Sequence, residues 1–200
     1  MSTTDIMRYD ELMGRWEPNA RGRLVEAALE LYSDRGYDQT TVAEIARRAG
    51  LTERTFFRHF TDKREVLFSG AGELQDQLVH ALDNAPDSLP AIDAIALALE
   101  AVAGGFSERH EFARRRQTII AQNAELAERE RIKLASLASA LTDGLQRRGV
   151  RDPAATLAAE MGIAVFRVAF ERWIGETKQP DLSRTLRTSF DELKAVAAGK

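Results

Sequence analysis

Residues 40–63, TTVAEIARRAGLTERTFFRHFTDK, constrain this 200-residue chain more than any other stretch. Thr41 followed three residues later by Glu44 has the form of a capping box, which opens a helix by satisfying its first amide groups. Val42, Ile45, Ala46 and Ala49 then recur at helical spacing and give that helix one apolar face. Gly50 suits the left-handed position at which helices end. Thr52 caps a second helix over 53–59, and Asp62 with Glu65 opens a third. Two short helices joined by a glycine turn are a helix-turn-helix, the geometry that lays the second helix in the DNA major groove.

Phe56 and Phe60 stand four residues apart and face a core, which turns the rest of the second helix outward. Thr52, Glu53, Arg54 and Thr55 form its leading turn, the part nearest base edges. Arg54 can pair with both acceptors of a guanine, Thr55 can touch a thymine methyl, and Arg58 shares the Arg54 face one turn on. Thr41 can offer its hydroxyl and the amides beside it to a phosphate at the start of its helix. Charge agrees with this placement. Residues 1–64 hold 11 Lys and Arg against 11 Asp and Glu, whereas residues 41–64 hold 6 against 3, a local +3 in a chain of net −3. A groove-specific reader needs such a local patch, not a basic surface throughout.

The helix RGRLVEAALELYSDRGY (21–37), the TTVAEIARRAGLTERTFFRHF element and DKREVLF (62–68) together strongly resemble the TetR family of transcriptional regulators. The resemblance implies that Phe57 and His59 contact the DNA backbone and that Lys63 contacts a phosphate. It also implies a homodimer on a palindromic double-stranded operator and a ligand-binding C-terminal domain. RRRQTIIAQNAELAERERIKLASLASAL followed by AAEMGIAVFRVAFERW is similar to the branch of mycofactocin-type regulators. That branch implies an acyl-CoA-like ligand.

Every long segment reads with helical period, and alternating β-branched runs are absent, so the fold class is all-α. Helices are expected near 20–36, 42–49, 53–59, 63–84, 89–104, 109–122, 124–148, 153–176 and 182–197. The expected organisation is a mobile N-terminal arm over 1–18, a helix-turn-helix domain over 19–66, and a ligand-binding and dimerisation domain over 67–200. Arg8 and Arg15 in the arm, with Arg21 and Arg23 beyond it, could reach phosphates or the minor groove. Trp16 could pack back on the first helix. The first residues lack the apolar core of a signal peptide, no segment is apolar enough for a membrane, and there is no cysteine, which together fit the cytoplasm.

The segment 153–176 is apolar nearly all round. Leu157, Met161, Val165 and Val168 take one side, and Phe166, Ala169, Phe170 and Trp173 another. Such a helix needs cover on two sides: its own domain can supply one, and the resemblance to TetR-type dimers implies a second copy on the other, the alternative being that this helix and the last one close a monomeric bundle. Leu182, Leu186, Phe190 and Leu193 form a stripe on the last helix that is expected at the same dimer interface. On 109–122, Phe112, Arg116, Ile119 and Ile120 share a face, with Asn123 just beyond. A guanidinium on an apolar face requires an anion: an internal glutamate such as Glu160, Glu171 or Glu100, or an anionic ligand. These residues, with Met161, Val165, Phe166 and Phe170, are the candidate ligand-binding set.

The reading is a ligand-responsive repressor without cofactor or metal. A ligand-independent architectural DNA binder is an alternative. A small all-helical enzyme is the other, although the chain lacks a nucleophile–base set, a glycine-rich phosphate loop and metal-ligand spacing around His59, His80 and His110.

Overall fold

A computed structural model describes residues 19–177 and 181–199, apart from the side chains of Ser107 and Glu108. The expected arm, with Arg8, Arg15 and Trp16, lies outside the described residues. The described residues form helices and connecting turns, with no strand among them. The α-helices are α1 (Ala20–Arg35), α2 (Val42–Arg48), α3 (Glu53–His59), α4 (Ala71–Asp83), α5 (Ala91–Ala103), α6 (His110–Ala121), α7 (Ala124–Arg147), α8 (Ala154–Gly175) and α9 (Leu182–Ala197). The chain divides into two compact units between Leu67 and Phe68.

In the first unit, α1 packs on α2 and α3. Leu24, Ala28 and Leu31 of α1 are buried along with Ile45, Ala46, Phe56 and Phe60. Each of the larger side chains gains about 1.5–3 kcal/mol from leaving water. Tyr32 is buried among them and donates to the Lys63 carbonyl at 2.7 Å; burial pushes its phenol far above the ordinary range. The Thr41–Glu44 capping box forms in both directions. Helix α2 ends where Gly50, at φ 67°, lets Leu51 N–H reach the Ala46 carbonyl at 2.8 Å. Gly50 also leaves room for the Arg23 guanidinium, whose Nη2 would lie 2.6 Å from an added Cβ and would have to move aside.

One expected helix is broken. Asp62 Oδ1 accepts from the amides of Arg64 at 2.8 Å and Glu65 at 3.2 Å, but the segment it opens is a 3-10 turn over Glu65–Phe68. Gly70 then adopts φ 90°, and α4 starts only at Ala71. A left-handed residue cannot continue an α-helical ladder, and Gly72 lowers helix propensity further, so 63–84 is not one rod.

In the second unit, α8 packs on α5, α6, α7 and α9, and α5 also meets α4 and α9. Gly162 lets α8 approach α5, since a Cβ there would collide with Ile95; Gly144 does the same for α7 against Leu82 of α4. Arg148 holds the end of α4, donating to the carbonyls of Leu82 (3.0 Å), Ala85 (2.7 Å) and Pro86 (2.8 Å).

The α9 stripe lies elsewhere than expected. Leu182, Leu186 and Phe190 are buried in the core of their own chain, Phe190 at 2% exposure, and Leu193 packs on that core. An amphipathic helix buries its one apolar face against whatever is adjacent, and here α5 and α8 are adjacent. The apolar surface left open is on α8, where Leu157 is 58% and Val168 is 41% exposed. Ala164 is exposed and Met161 half-buried on the same side.

Candidate nucleic-acid interface and ligand region

Two phenylalanines set the orientation of α3. Phe56 and Phe60 are buried with their rings 5.6 Å apart. The opposite side of the helix presents Glu53, Arg54, Phe57 and Arg58, all exposed, Phe57 at 55%. Thr52 Oγ1 accepts from Thr55 N–H at 3.2 Å, and the two hydroxyls are 3.0 Å apart. The first amides of the leading turn are thereby capped from within the chain. Arg54 and Arg58 have no hydrogen-bond or ion-pair partner among the described residues, so both guanidinium groups are available to an outside anion or base edge. Thr41 is exposed at the start of α2, its hydroxyl 2.9 Å from Glu44 Oε2.

The other expected contacts are placed differently. Lys63 directs its ammonium inward, donating to the carbonyls of Tyr37 at 2.8 Å and Thr40 at 2.9 Å, over the Tyr37 ring at 4.3 Å. The turn after α1 presents several carbonyls, and a cation neutralises their partial charge. Arg23 is half-buried and donates from Nη2 to the Ala49 carbonyl at the end of α2. Both cations therefore hold backbone and do not project towards a phosphate. Arg21 is exposed, its guanidinium 5.6 Å from the Phe60 ring centre. His59 has a buried Nε2 without a hydrogen-bond partner. Burial, and then the charges of Arg58 and Arg21, hold its pKa below the ordinary 6.5. A contact from His59 to DNA would have to use Nδ1.

The candidate ligand residues fall into separate settings. Arg116 pairs with Glu130 on α7 at 3.1 Å, not with Glu160, Glu171 or Glu100. Glu160 and Glu171 are exposed, and Glu100 pairs with Arg187 at 3.2 Å. Gln117 donates to the second Glu130 oxygen at 3.1 Å, and the Arg116 guanidinium lies 5.1 Å from the Phe68 ring centre. Desolvation lowers the Arg116 pKa and Glu130 opposes it; a guanidinium stays charged throughout. Asn123 is a cap: its Oδ1 accepts from the amides of Glu125 (3.1 Å) and Leu126 (3.2 Å) at the start of α7. Ile119, Ile120 and Val165 are buried, and Phe112 and Met161 are half-buried.

Phe166 and Phe170 belong to an aromatic cluster centred on Trp173. Ring centres are 5.8 Å apart for Phe166–Phe170 and 5.5 Å for Phe170–Trp173. Phe106 lies 6.2 Å and His110 4.7 Å from the Trp173 ring, both edge-on. Trp173 and its neighbour His110 were not singled out for this role by the sequence pattern; a tryptophan inside an apolar helix gives no signal of an unmatched N–H. A cleft of about 360 Å³ in the first unit is lined by Glu30, Asp34, Arg35, Glu44, Arg47 and Arg48. Its Arg35–Glu44 and Arg48–Glu30 pairs satisfy one another.

Among the described residues there is no group of three His, Cys, Asp or Glu that could hold a metal, and no helix long and apolar enough to cross a membrane.

Comparison with known proteins agrees with this architecture. The family model for bacterial regulatory proteins of the tetR family matches residues 24–69, and that for the MftR C-terminal domain matches 89–198. The chain is 27% identical over 198 residues to the putative mycofactocin biosynthesis transcriptional regulator MftR of Mycobacterium tuberculosis, covering 94% of this chain and 96% of that protein. It is 37% identical over 84 residues to the transcriptional regulator TcmR of Streptomyces glaucescens, covering 42% of this chain but only 37% of that protein. The fold is similar to that of Thermus thermophilus FadR, a repressor solved with lauroyl-CoA: TM-score 0.55, 20% identity, 88% of this chain and 93% of that one. With its N-terminal helices matching one model and more than half its length the other, the chain belongs to the TetR family of transcriptional regulators and carries a C-terminal domain of the MftR type.

Proposed function

We propose that this regulator is a cytoplasmic repressor that binds a near-palindromic operator as a homodimer and is released by a small hydrophobic or acyl-CoA-like ligand. The observation that carries the DNA reading is α3: a capped helix, anchored by Phe56 and Phe60, whose outer face presents Arg54 and Arg58 without a partner among the described residues. Arg54, Thr55 and Glu53 would read bases, and Arg58, Phe57 and Thr41 would hold the backbone. The open face of α8, from Leu157 to Val168, supports a second copy as its cover. A two-fold seam of this kind sets two recognition helices on two half-sites. The ligand class is supported by the MftR-type domain and by the lauroyl-CoA bound to the FadR neighbour. Release requires that ligand and operator favour different arrangements of the protein. No catalytic step enters this reading.

Sequencing DNA selected from a random pool by the full-length protein tests it. A motif with two inverted half-sites is expected, with release of that DNA by lauroyl-CoA. Enrichment of an asymmetric motif would overturn the dimeric reading. A palindrome that lauroyl-CoA and laurate leave bound would point instead to a ligand-independent binder.

A further inference from the structure

Helix α8 carries two charges that its own chain leaves unused. Glu160 and Arg167 are exposed, and neither has a hydrogen bond or ion pair among the described residues. The arginines around them are paired: Arg172 of the same helix meets Glu192, Arg184 meets Glu176, and Arg187 meets Glu100. Glu160 and Arg167 stand about two helical turns apart, too far to reach each other but on one flank of the helix. That flank borders the open stripe of Leu157, Met161, Ala164 and Val168. Ala164, the small residue of the stripe, lies beside the midpoint of the two charges. The midpoint of Leu157 and Val168 falls within about one residue, or about 1.5 Å of rise, of the same place.

We propose that these two charges fix how two copies pair: α8 crosses its copy antiparallel about a two-fold axis beside Ala164, and Glu160 of each subunit meets the partner's Arg167. The inference rests on the homodimer reading above and adds to it a direction and a rule for choosing partners. A two-fold axis perpendicular to a helix reverses its direction and keeps each flank on its own side. The charged flanks therefore face each other, and the reversal sets Glu160 opposite the partner's Arg167. An axis along the helix would set Glu160 against the partner's Glu160 and Arg167 against the partner's Arg167. The charges thus favour one arrangement and oppose the other. The apolar stripe cannot make that choice, because Leu157, Met161 and Val168 pack on apolar groups in either direction. An exposed charge pair adds little affinity by itself, so its effect is selection. A related chain without an acid at 160 and a base at 167 would be a poorer partner.

The test is charge exchange in the full-length protein, read by sedimentation equilibrium across a dilution series and by native mass spectrometry of mixtures. Glu160→Arg sets arginine against arginine at both ends of the crossing, and Arg167→Glu sets glutamate against glutamate. Each variant should dimerise about tenfold or more weakly than wild type. Mixing the two should give a heterodimer of near wild-type affinity, because both facing pairs are then opposite in sign. The double variant should form homodimers again and should not exchange subunits with wild type. Recovery on mixing shows that each variant is folded, so a folding defect cannot imitate the expected result. Glu171→Gln, one turn from Arg167, should leave dimer affinity unchanged, which separates the pairing from a contact within the helix. A single variant that dimerises like wild type, or a mixture as weak as its components, overturns the antiparallel pairing and leaves the homodimer reading intact. A wild type that is monomeric at micromolar concentration overturns both.

Discussion

Arg116 offers the sharpest test of how the second unit is held together. Its guanidinium and the Glu130 carboxylate are 3.1 Å apart, with 19% and 23% of their side chains exposed. At an effective dielectric of about 20, two unit charges at that separation attract by roughly 5 kcal/mol, and much of this offsets the cost of removing both from water. Arg116→Met keeps the bulk and removes the charge, so Glu130 stays half-buried with only Gln117 donating to it. Removing one partner of a fully buried pair costs about 3–5 kcal/mol. The residual exposure and the Gln117 bond reduce the expected loss to about 2–3 kcal/mol. The stacking on Phe68 contributes about 0.5–1 kcal/mol of it.

Urea denaturation of wild type, Arg116→Met, Glu130→Leu and the double variant measures the coupling. Each single change should destabilise, and the double variant should recover to within about 1 kcal/mol of wild type, since two apolar groups leave no stranded charge. If Arg116→Met stays within about 0.5 kcal/mol of wild type but no longer releases operator DNA with lauroyl-CoA, the guanidinium serves an anionic head group and the structural reasoning is refuted.

Three further outcomes follow from named contacts. Arg54→Ala should weaken specific operator binding by about 1–3 kcal/mol and relax preference at one base pair per half-site, read by competition with single-base operator variants. Val168→Arg should give a folded monomer by light scattering, because it charges an open face, whereas Phe190→Arg should collapse the fold, because Phe190 is 2% exposed inside its own core. Acid should destabilise the first unit in two stages. His59 has a folded pKa held below 6.5, chiefly by burial, so its contribution is complete above pH 6.5 and declines as pH falls from there. The Thr41 backbone and hydroxyl bonds hold Glu44 below 4.5, so its contribution is complete above that value and is lost as pH falls through the depressed folded pKa. Melting curves of His59→Gln should lose the first stage and those of Glu44→Gln the second.

What the sequence revealed and concealed divides by range. The Thr41–Glu44 box, the Thr52 cap and the Gly50 turn are local devices whose partners lie within three or four residues, so their pattern is written in the chain. Phe56 and Phe60 orient α3 by helical period alone. The Arg116 anion was legible as a need but not as an identity, since Glu130 comes from the next helix and competes with several equally spaced glutamates. The α9 stripe was legible as apolar, but an apolar stripe looks the same whether it meets its own α5 and α8 or a second copy. Asn123 looked like part of the α6 face because it follows Ile119 and Ile120; it belongs instead to the next helix, whose first amides it caps. Gly70 was overridden in the pattern by apolar residues on both sides, and only its φ of 90° shows that the helix stops.

The same distinction bears on how this protein meets a phosphate backbone. A basic residue counts towards DNA affinity only if its charge is not already spent, and in the first unit many are. Lys63 and Arg23 hold backbone carbonyls, and Arg35, Arg48 and Arg64 pair with Glu44, Glu30 and Asp62. Lys63→Met should then act on stability. Losing charge-assisted bonds to the Tyr37 and Thr40 carbonyls should cost about 1.5–3 kcal/mol in urea denaturation. The slope of log affinity against log salt should be unchanged, because no counterion is released at a lysine that never reaches the DNA. Arg58→Met should do the reverse, leaving stability near wild type and reducing the slope by about 0.9 per subunit. Measuring both slopes on one operator separates the roles. A Lys63→Met slope that falls like that of Arg58→Met would mean that DNA draws the ammonium out of its carbonyl cage, and the internal role assigned to it would be wrong for the bound state.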